Sequence, residues 1–396
     1  MPFYKRDLSK TLKRFAKFPV LALLGPRQSG KTTLVRNVFK KHAFVSMESP
    51  EAREFVNRDP NGFLREYGND VGIIIDEFQH SPQILSYIQM AVDEKKRPGY
   101  FILTGSQNFL VNQAITQTLA GRVGILTLLP LSQHELGANK LDSDINKTIF
   151  RGGYPRLYAE HYAPDELYPS YIHSYVERDV RQLVNVGNLR NFQNFMQLCA
   201  GRVGQLLNVN DLATNCGISR KTAESWLSLL EASYIVFLLR PHFNNFNKRV
   251  TKTPKLYFFD TGLACSLLGI KSATDVQTSP FRGHLFECMI ISDFYKQFYN
   301  MGAQPPLYFW RDKNGRIEVD CLVAQSNKLI PIEIKSGETV VNDFFTSLST
   351  WNSLAKVDPE NGYLVYGGQL AQKRSIGNVI GWQAADDLMS KLTKKK

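Results

Sequence analysis

The chain has 396 residues, 43% hydrophobic and 12% aromatic, which excludes a disordered polymer and predicts two or three domains with real cores. Its longest apolar runs, such as Tyr234–Leu239 and Val20–Leu24, fall far short of the roughly 20 residues that span a bilayer, so no membrane segment is expected. A formal charge of +12 favours an acidic polymer as partner, most simply DNA, although a basic protein without such a partner carries the same balance.

The N-terminus is basic and then briefly apolar, as in a signal peptide, but Pro19–Leu24 runs into a glycine-rich loop with no small-residue cleavage site. A buried strand is the better reading. Five scattered cysteines (199, 216, 265, 288 and 321) show no zinc or redox spacing, which fits reduced thiols and a cytoplasmic location.

That strand leads into Gly25-Pro26-Arg27-Gln28-Ser29-Gly30-Lys31-Thr32, followed by Thr33 and a helical pattern through Leu34, Val35, Val38 and Phe39. Strand, G-x-x-x-x-G-K-[ST] and helix in this order form the context of a P-loop. Glycines let backbone N–H groups curl around phosphates, and the helix N-terminus adds its positive end. Residues 25–33 are therefore the candidate ATP site, with Lys31 on the β- and γ-phosphates and the Thr32 hydroxyl on Mg2+.

Val71-Gly-Ile-Ile-Ile75 reads as a strand buried in a parallel sheet and ends in Asp76-Glu77. Ligands of open α/β sheets collect at such strand ends. Asp76 is expected to hold the magnesium, and Glu77 to polarise the attacking water as general base. A third strand, Tyr100–Thr104, ends in Gly105-Ser106-Gln107-Asn108; Ser106 and Gln107, with Asn108 in reserve, are candidates for sensing the γ-phosphate, against the alternative of a polar turn. Arg122 offers positive charge to the leaving phosphate, in cis or to a neighbouring subunit of a homo-oligomer. A surface salt bridge is the competing reading.

These residues resemble the AAA-type ATPases. Gly25–Thr32, Ile-Ile-Ile-Asp-Glu-Phe, Leu-Thr-Gly-Ser, Leu-Ala-Gly-Arg and Leu129-Pro-Leu-Ser-Gln-His-Glu135 are similar to the branch that pairs the ATPase with a C-terminal domain called DUF4143. Gly152-Gly-Tyr-Pro155 and Tyr175-Val-Glu-Arg-Asp179-Val are similar to its next helical segment. Phe258-Phe-Asp260-Thr-Gly262-Leu and Gly283-His-Leu-Phe-Glu287 are similar to the start of its C-terminal part. A second sensor arginine, as better-studied AAA machines have, is not evident.

Leu206–Leu230 reads as a helix-turn-helix: Asn208-Val-Asn-Asp211 starts one helix, Gly217-Ile-Ser219 makes the turn, and Arg220–Glu231 forms the second with Trp226, Leu229 and Leu230 inward. Strands Tyr234–Arg240 and Lys255–Phe259, joined by a basic loop, complete a winged helix. Ser219, Arg220, Lys221 and Ser225 would face outward, where a major groove is read, and Lys248, Arg249 and Lys252 would meet phosphates from the wing. The alternative is a packing module only.

In the last third, Phe309–Arg316 reads as strand and turn, Ile317–Val323 as a strand, and Leu329–Lys335 as another. Residues two apart on a strand share a face, so Asp320 and the pair Glu333/Lys335 project from neighbouring positions. Upstream, the helix Gly283–Phe298 carries Glu287 beside Phe286, Ile290 and Phe294. Glu, then Asp, then Glu-x-Lys resembles the PD-(D/E)xK nucleases. The resemblance implies that Asp320, Glu333 and Glu287 bind Mg2+ and that Lys335 positions or activates water. Nucleic-acid binding without cleavage and structural ion pairs remain alternatives, and the basic tail Lys391–Lys396 reads as a solvated end.

The expected fold is thus α/β: a doubly wound P-loop ATPase sheet (1–140), a helical segment (141–200), a winged helix (201–262) and a nuclease-like α/β domain (263–396). The expected function is an ATP-hydrolysing, DNA-engaging protein with a candidate nuclease site; the rival is an ATP-driven switch whose C-terminal domain only binds.

Overall fold

The computed structural model describes residues 4–106, 115, 117–137, 140–176, 180, 189–242, 253–312, 314–325 and 328–393. Gln107, Asn108, Lys248, Arg249 and Lys252 lie outside the described residues, as do Glu177–Asp179 and the last three lysines. The chain divides into two compact units. One comprises Met1–Leu131 with Leu229–Ile235 and Phe298–Gln304, and the other Ser132–Ser228, Val236–Gln297 and Pro305–Lys396.

The first unit is built on five strands: β1 (Val20–Gly25), β2 (Ala43–Ser46), β3 (Ile73–Asp76), β4 (Phe101–Ser106) and β5 (Val123–Thr127). They pair in the order β2-β3-β4-β1-β5, every neighbour parallel. Alternation along β1 shows why the strand is apolar throughout. Val20, Ala22 and Leu24 enter one core cluster with Ile73, Ile75, Phe101, Leu103 and the helix Ile84–Glu94. Leu21 and Leu23 enter a second with Ile74, Ile102 and residues of the helices Leu8–Phe15 and Lys31–Val38. A parallel sheet buried on both faces is the doubly wound arrangement expected from its Val, Ile and Leu runs. Strand ends differ slightly from the sequence expectation. β3 extends through Asp76, and β4 continues to Ser106, so Ser106 closes the strand rather than opening a loop.

The second unit begins with helices. Its motif Gly152-Gly-Tyr-Pro155 is tied to Asp260, a buried carboxylate that accepts from Gly153 N at 2.7 Å, from the Tyr168 hydroxyl at 2.7 Å and from Leu263 N at 3.0 Å. Asp260 thereby caps the helix Thr261–Leu267, and a Cβ at Gly152 would meet the Tyr168 hydroxyl at 2.2 Å. The helix Val209–Cys216 starts on an Asn208 cap and ends at Gly217, whose φ of 64° is the left-handed conformation that glycine adopts freely. The helix Arg220–Ala232 follows, and Trp226 packs edge-on against Phe192 and Phe195 of the helix Leu189–Ala200. Strands β6 (Val236–Leu239) and β7 (Lys255–Phe258) pair antiparallel.

The rest of this unit is a six-stranded mixed sheet: β8 (Leu307–Arg311), β9 (Glu318–Gln325), β10 (Lys328–Lys335), β11 (Tyr363–Tyr366), β12 (Gln372–Arg374) and β13 (Gly377–Gly381), in the order β12-β13-β11-β10-β9-β8. β9 pairs antiparallel with both β8 and β10, whereas β10-β11 and β11-β13 are parallel. The helix Arg282–Asn300 is buried over most of its surface, with Leu285, Phe286, Cys288, Ile290, Ile291 and Phe294 fully buried and Glu287, Asp293 and Lys296 buried among them, so it is a core helix rather than a surface one.

Candidate functional sites

The glycines of the phosphate loop have specific reasons to be glycine. Gly25 has a φ of 150°, and a Cβ there would lie 2.2 Å from the Leu128 carbonyl oxygen; Gly30 has a φ of 92° as the loop turns into its helix. Gln28 adopts a left-handed φ of 59° without being glycine. Ser29 is fully buried, with its hydroxyl donating to Pro26 O at 3.0 Å. Lys31 is buried at 4% exposure and donates to Pro26 O at 2.8 Å and Gly25 O at 3.2 Å, inside the curl of the loop. Thr33 points outward.

Sequence reasoning missed Arg6. It is 4% exposed and donates to Ser29 O at 2.8 Å and Leu129 O at 2.7 Å, fixing the loop from beneath. A lone arginine near a terminus carries no local signal of such a contact.

Asp76 sits at the end of β3, where Thr32 Oγ1 donates to its Oδ1 at 2.8 Å and Thr104 Oγ1 donates to the same oxygen. Burial pushes the Asp76 carboxyl up, while the Thr104 and Thr32 hydroxyls pull it back. Glu77 follows with a φ of 52°, a left-handed conformation that costs a non-glycine residue about 1–2 kcal/mol and turns its side chain off the strand line. Its Oε2 accepts from Gln79 Nε2 and, more distantly, from Ser106 Oγ at 3.5 Å. Thr32, Asp76, Glu77 and Ser106 are thus gathered at the C-terminal ends of β3 and β4. A hydroxyl and a carboxylate in direct contact make an oxygen donor set that suits Mg2+. Arg122 instead forms a bidentate pair with Asp93, at 2.6 and 2.8 Å, which is the surface salt bridge weighed against a role at the phosphate.

A second gathering of charge lies in the C-terminal sheet. Cys321 of β9 pairs with Ile332 of β10, so one step along each strand sets Asp320 beside Glu333. Asp320 accepts from Ile334 N at 2.8 Å and lies 3.3 Å from Lys335 Nζ, which also contacts Glu333 at 2.5 Å. Glu333 is 2% exposed, and its Oε2 is buried without a hydrogen-bond partner. Burial, reinforced by Asp320, pushes the Glu333 carboxyl well up, and Lys335 opposes this only in part. Lys335 itself is held protonated: burial alone would lower it, but Asp320 and Glu333 together outweigh that. An orphaned carboxylate oxygen beside a second carboxylate fits a hard cation.

Glu287, expected to complete this set, lies close enough to raise the Glu333 carboxyl and is itself paired with a second lysine. Its Oε1 accepts from Lys255 Nζ at 3.0 Å and from the Tyr257 hydroxyl. Burial pushes its carboxyl up to about 7, with Lys255 pulling the other way. Lys255 is 3% exposed and also pairs with Glu318, two residues before Asp320 on β9, while Arg311 reaches Glu318 at 3.5 Å. Among the described residues no three His, Cys, Asp or Glu side chains gather closely enough to hold a metal ion together. Lys255, Tyr257 and Glu318 had no sequence signal, because Lys255 is separated from Glu287 by 32 positions and sits next to a proline-flanked loop.

On the helix Arg220–Ala232, Arg220, Lys221 and Ser225 are exposed, as is Ser219 before it, while Trp226, Leu229 and Leu230 are buried, matching the expected division of faces. Arg220 donates to Glu224 at 2.8 Å, which offsets part of the positive charge of that face.

Residues 17–137 match the AAA domain family, residues 142–274 a domain of unknown function (DUF8612), and residues 282–384 the domain of unknown function DUF4143. Uncharacterized protein Rv2008c of Mycobacterium tuberculosis and Uncharacterized protein Mb2031c of Mycobacterium bovis are each 30% identical over 338 residues, covering 85% of this chain and 74% of the relative. The chain belongs to the family of these two proteins. It is an AAA-type P-loop ATPase carrying a DUF4143 domain. Among solved structures, the Walker-type ATPase PABY2304 of Pyrococcus abyssi is similar at 15% identity and a TM-score of 0.43, covering 67% of this chain and 96% of that one. The RuvB Holliday junction branch migration motor of Thermotoga maritima is similar at 16% identity and a TM-score of 0.30, covering 59% and 87%. No helix among the described residues is long and apolar enough to cross a membrane.

Proposed function

We propose that this AAA-type ATPase engages DNA and cuts it at a second, magnesium-dependent site in the C-terminal sheet, with nucleotide state controlling that engagement. The observation that carries the reading is the side-by-side pair Asp320 and Glu333, with Lys335 on one Glu333 oxygen and the other buried without a partner.

At the ATP site, Thr32 and Asp76 would hold magnesium, Lys31 and the backbone of residues 25–33 would cradle the phosphates, and Glu77 would orient the attacking water. Ser106 and Gln107 would sense the γ-phosphate. In the C-terminal sheet Asp320 and Glu333 would hold the cation, which supplies charge stabilisation on a non-bridging phosphate oxygen when bound. Lys335, held protonated between both carboxylates, would donate to the attacking water or the phosphate and fix its approach. The helix Arg220–Ala232 and the β6–β7 pair are read as a winged helix that presents Ser219, Arg220, Lys221 and Ser225 to DNA, with Lys248 and Arg249, from the sequence between the two strands, as further phosphate contacts.

Purified protein with labelled linear, single-stranded and branched DNA should yield magnesium-dependent products that disappear in Asp320→Ala. A specific observation favours a second reading: both carboxylate pairs already carry lysine partners, and no three ligating side chains gather. If wild type binds DNA and turns over ATP but cuts none of these substrates, the C-terminal domain is a binding module and the protein an ATP-driven switch.

A further inference from the structure

The C-terminal cluster contains four carboxylates, Glu287, Glu318, Asp320 and Glu333, but its counter-charges are unevenly placed. Lys255 serves Glu287 and Glu318, and Glu287 also takes the Tyr257 hydroxyl while Glu318 also takes Arg311. Lys335 serves Asp320 and Glu333. Among the described residues, Glu333 Oε2 is the carboxylate oxygen left buried with no hydrogen-bond partner. An unmet acceptor therefore stands at one end of the cluster, and none at the other.

Lys255 is unlike a surface lysine. It stands on β7, 3% exposed, with Nζ 3.0 Å from Glu287 and 5.7 Å above the Phe309 ring. Burying an ammonium costs several kcal/mol unless carboxylates surround it, and here two do. Two-cation sites share carboxylates between ions about 4 Å apart, each ion drawing on its own side of the acidic cluster. A compact ammonium with three donors can take the place of one such ion, because it supplies positive charge to two carboxylates at similar range.

We propose that this cluster is built for a single divalent cation, held by Asp320 and Glu333, and that Lys255 fills with its ammonium the position between Glu287 and Glu318 that a second cation would take. Glu287 is then a partner of Lys255 and not a metal ligand. The inference rests on the metal reading of Asp320 and Glu333 given above.

The test counts bound Mn2+ in the full chain without nucleotide, by electron paramagnetic resonance of the free ion, in an Asp76→Asn background that silences the ATP site. The expected result is one Mn2+ per chain in this background, none after Glu333→Gln, and two after Lys255→Met. A count that stays at one in Lys255→Met, or that is already two before that change, overturns the Lys255 assignment and leaves the metal reading standing. No Mn2+ bound with Glu333 intact overturns the metal reading itself. Glu287→Gln gives an independent check should Lys255→Met fail to fold: the count stays at one if Glu287 is not a ligand, and its loss would sink the proposal.

Discussion

The two acidic sites of this chain hold their carboxylates in opposite ways. Asp76, at the end of a parallel strand, is held by the neutral hydroxyls of Thr32 and Thr104. Asp320 and Glu333, on neighbouring antiparallel strands, are held by the ammonium of Lys335, with Lys255 serving Glu287 and Glu318 nearby. Hydroxyl donors stabilise a carboxylate without cancelling its charge, so the negative charge stays available to a cation that arrives with nucleotide. Each lysine cancels about half of the charge of its carboxylate pair in place, leaving a smaller demand at Glu333. The difference suits a site whose charge waits for an ion that comes with nucleotide against one whose charge is half balanced beforehand.

The sharpest way to separate the sites is to disable the first alone. Lys31→Ala should lower ATP turnover by about 100-fold or more, since a charged donor to the developing phosphate charge is removed from a buried loop. Mn2+ binding at Glu333 should be unchanged, and a parallel loss there would break the comparison. Glu77→Gln should reduce turnover by about 100-fold while nucleotide affinity, read by fluorescent nucleotide titration, stays within about twofold, as befits a general base.

Smaller effects probe the counter-charges. Lys335→Met leaves Asp320 and Glu333 buried together without their cation. Breaking a buried pair costs about 3–5 kcal/mol, and because the Lys335 side chain is 33% exposed the expected loss is nearer ~2 kcal/mol, read by urea unfolding without divalent cations. Added Mg2+ should restore part of it. Thr104→Val removes one hydroxyl donor from Asp76 and should cost about 1 kcal/mol in the same assay. A loss at Thr104 as large as that at Lys335 would contradict the distinction between hydroxyl-held and lysine-held carboxylates.

Much of this arrangement was legible in the sequence where the signal is local. The phosphate loop, the β-branched run ending in Asp76-Glu77, and the outward face of Arg220, Lys221 and Ser225 each depend on residues within one turn or strand. Asp320 and Glu333 could be paired because the β9 and β10 segments are adjacent and alternate regularly. What escaped depends on distant partners. Arg6 meets Leu129 across 123 positions, and Lys255 meets Glu287 across 32. Arg122 could be read either as a phosphate ligand or as a surface pair, and its contact with Asp93 is set by the fold rather than by any pattern in the chain. Gly152 and Asp260 stood out as motif residues, yet their reason, a carboxylate shared by Gly153, Tyr168 and Leu263, is visible only once the helices are packed.

Both chemistries can be followed in one preparation. ATP turnover and magnesium-dependent DNA cleavage should be measured side by side for wild type, Lys31→Ala and Glu333→Gln. Glu333→Gln should abolish cleavage and keep ATP turnover, whereas Lys31→Ala should abolish turnover and alter cleavage only through its dependence on nucleotide. Cleavage that survives Glu333→Gln, or a wild type that cuts nothing, would contradict the claim that the C-terminal carboxylates form a nuclease site.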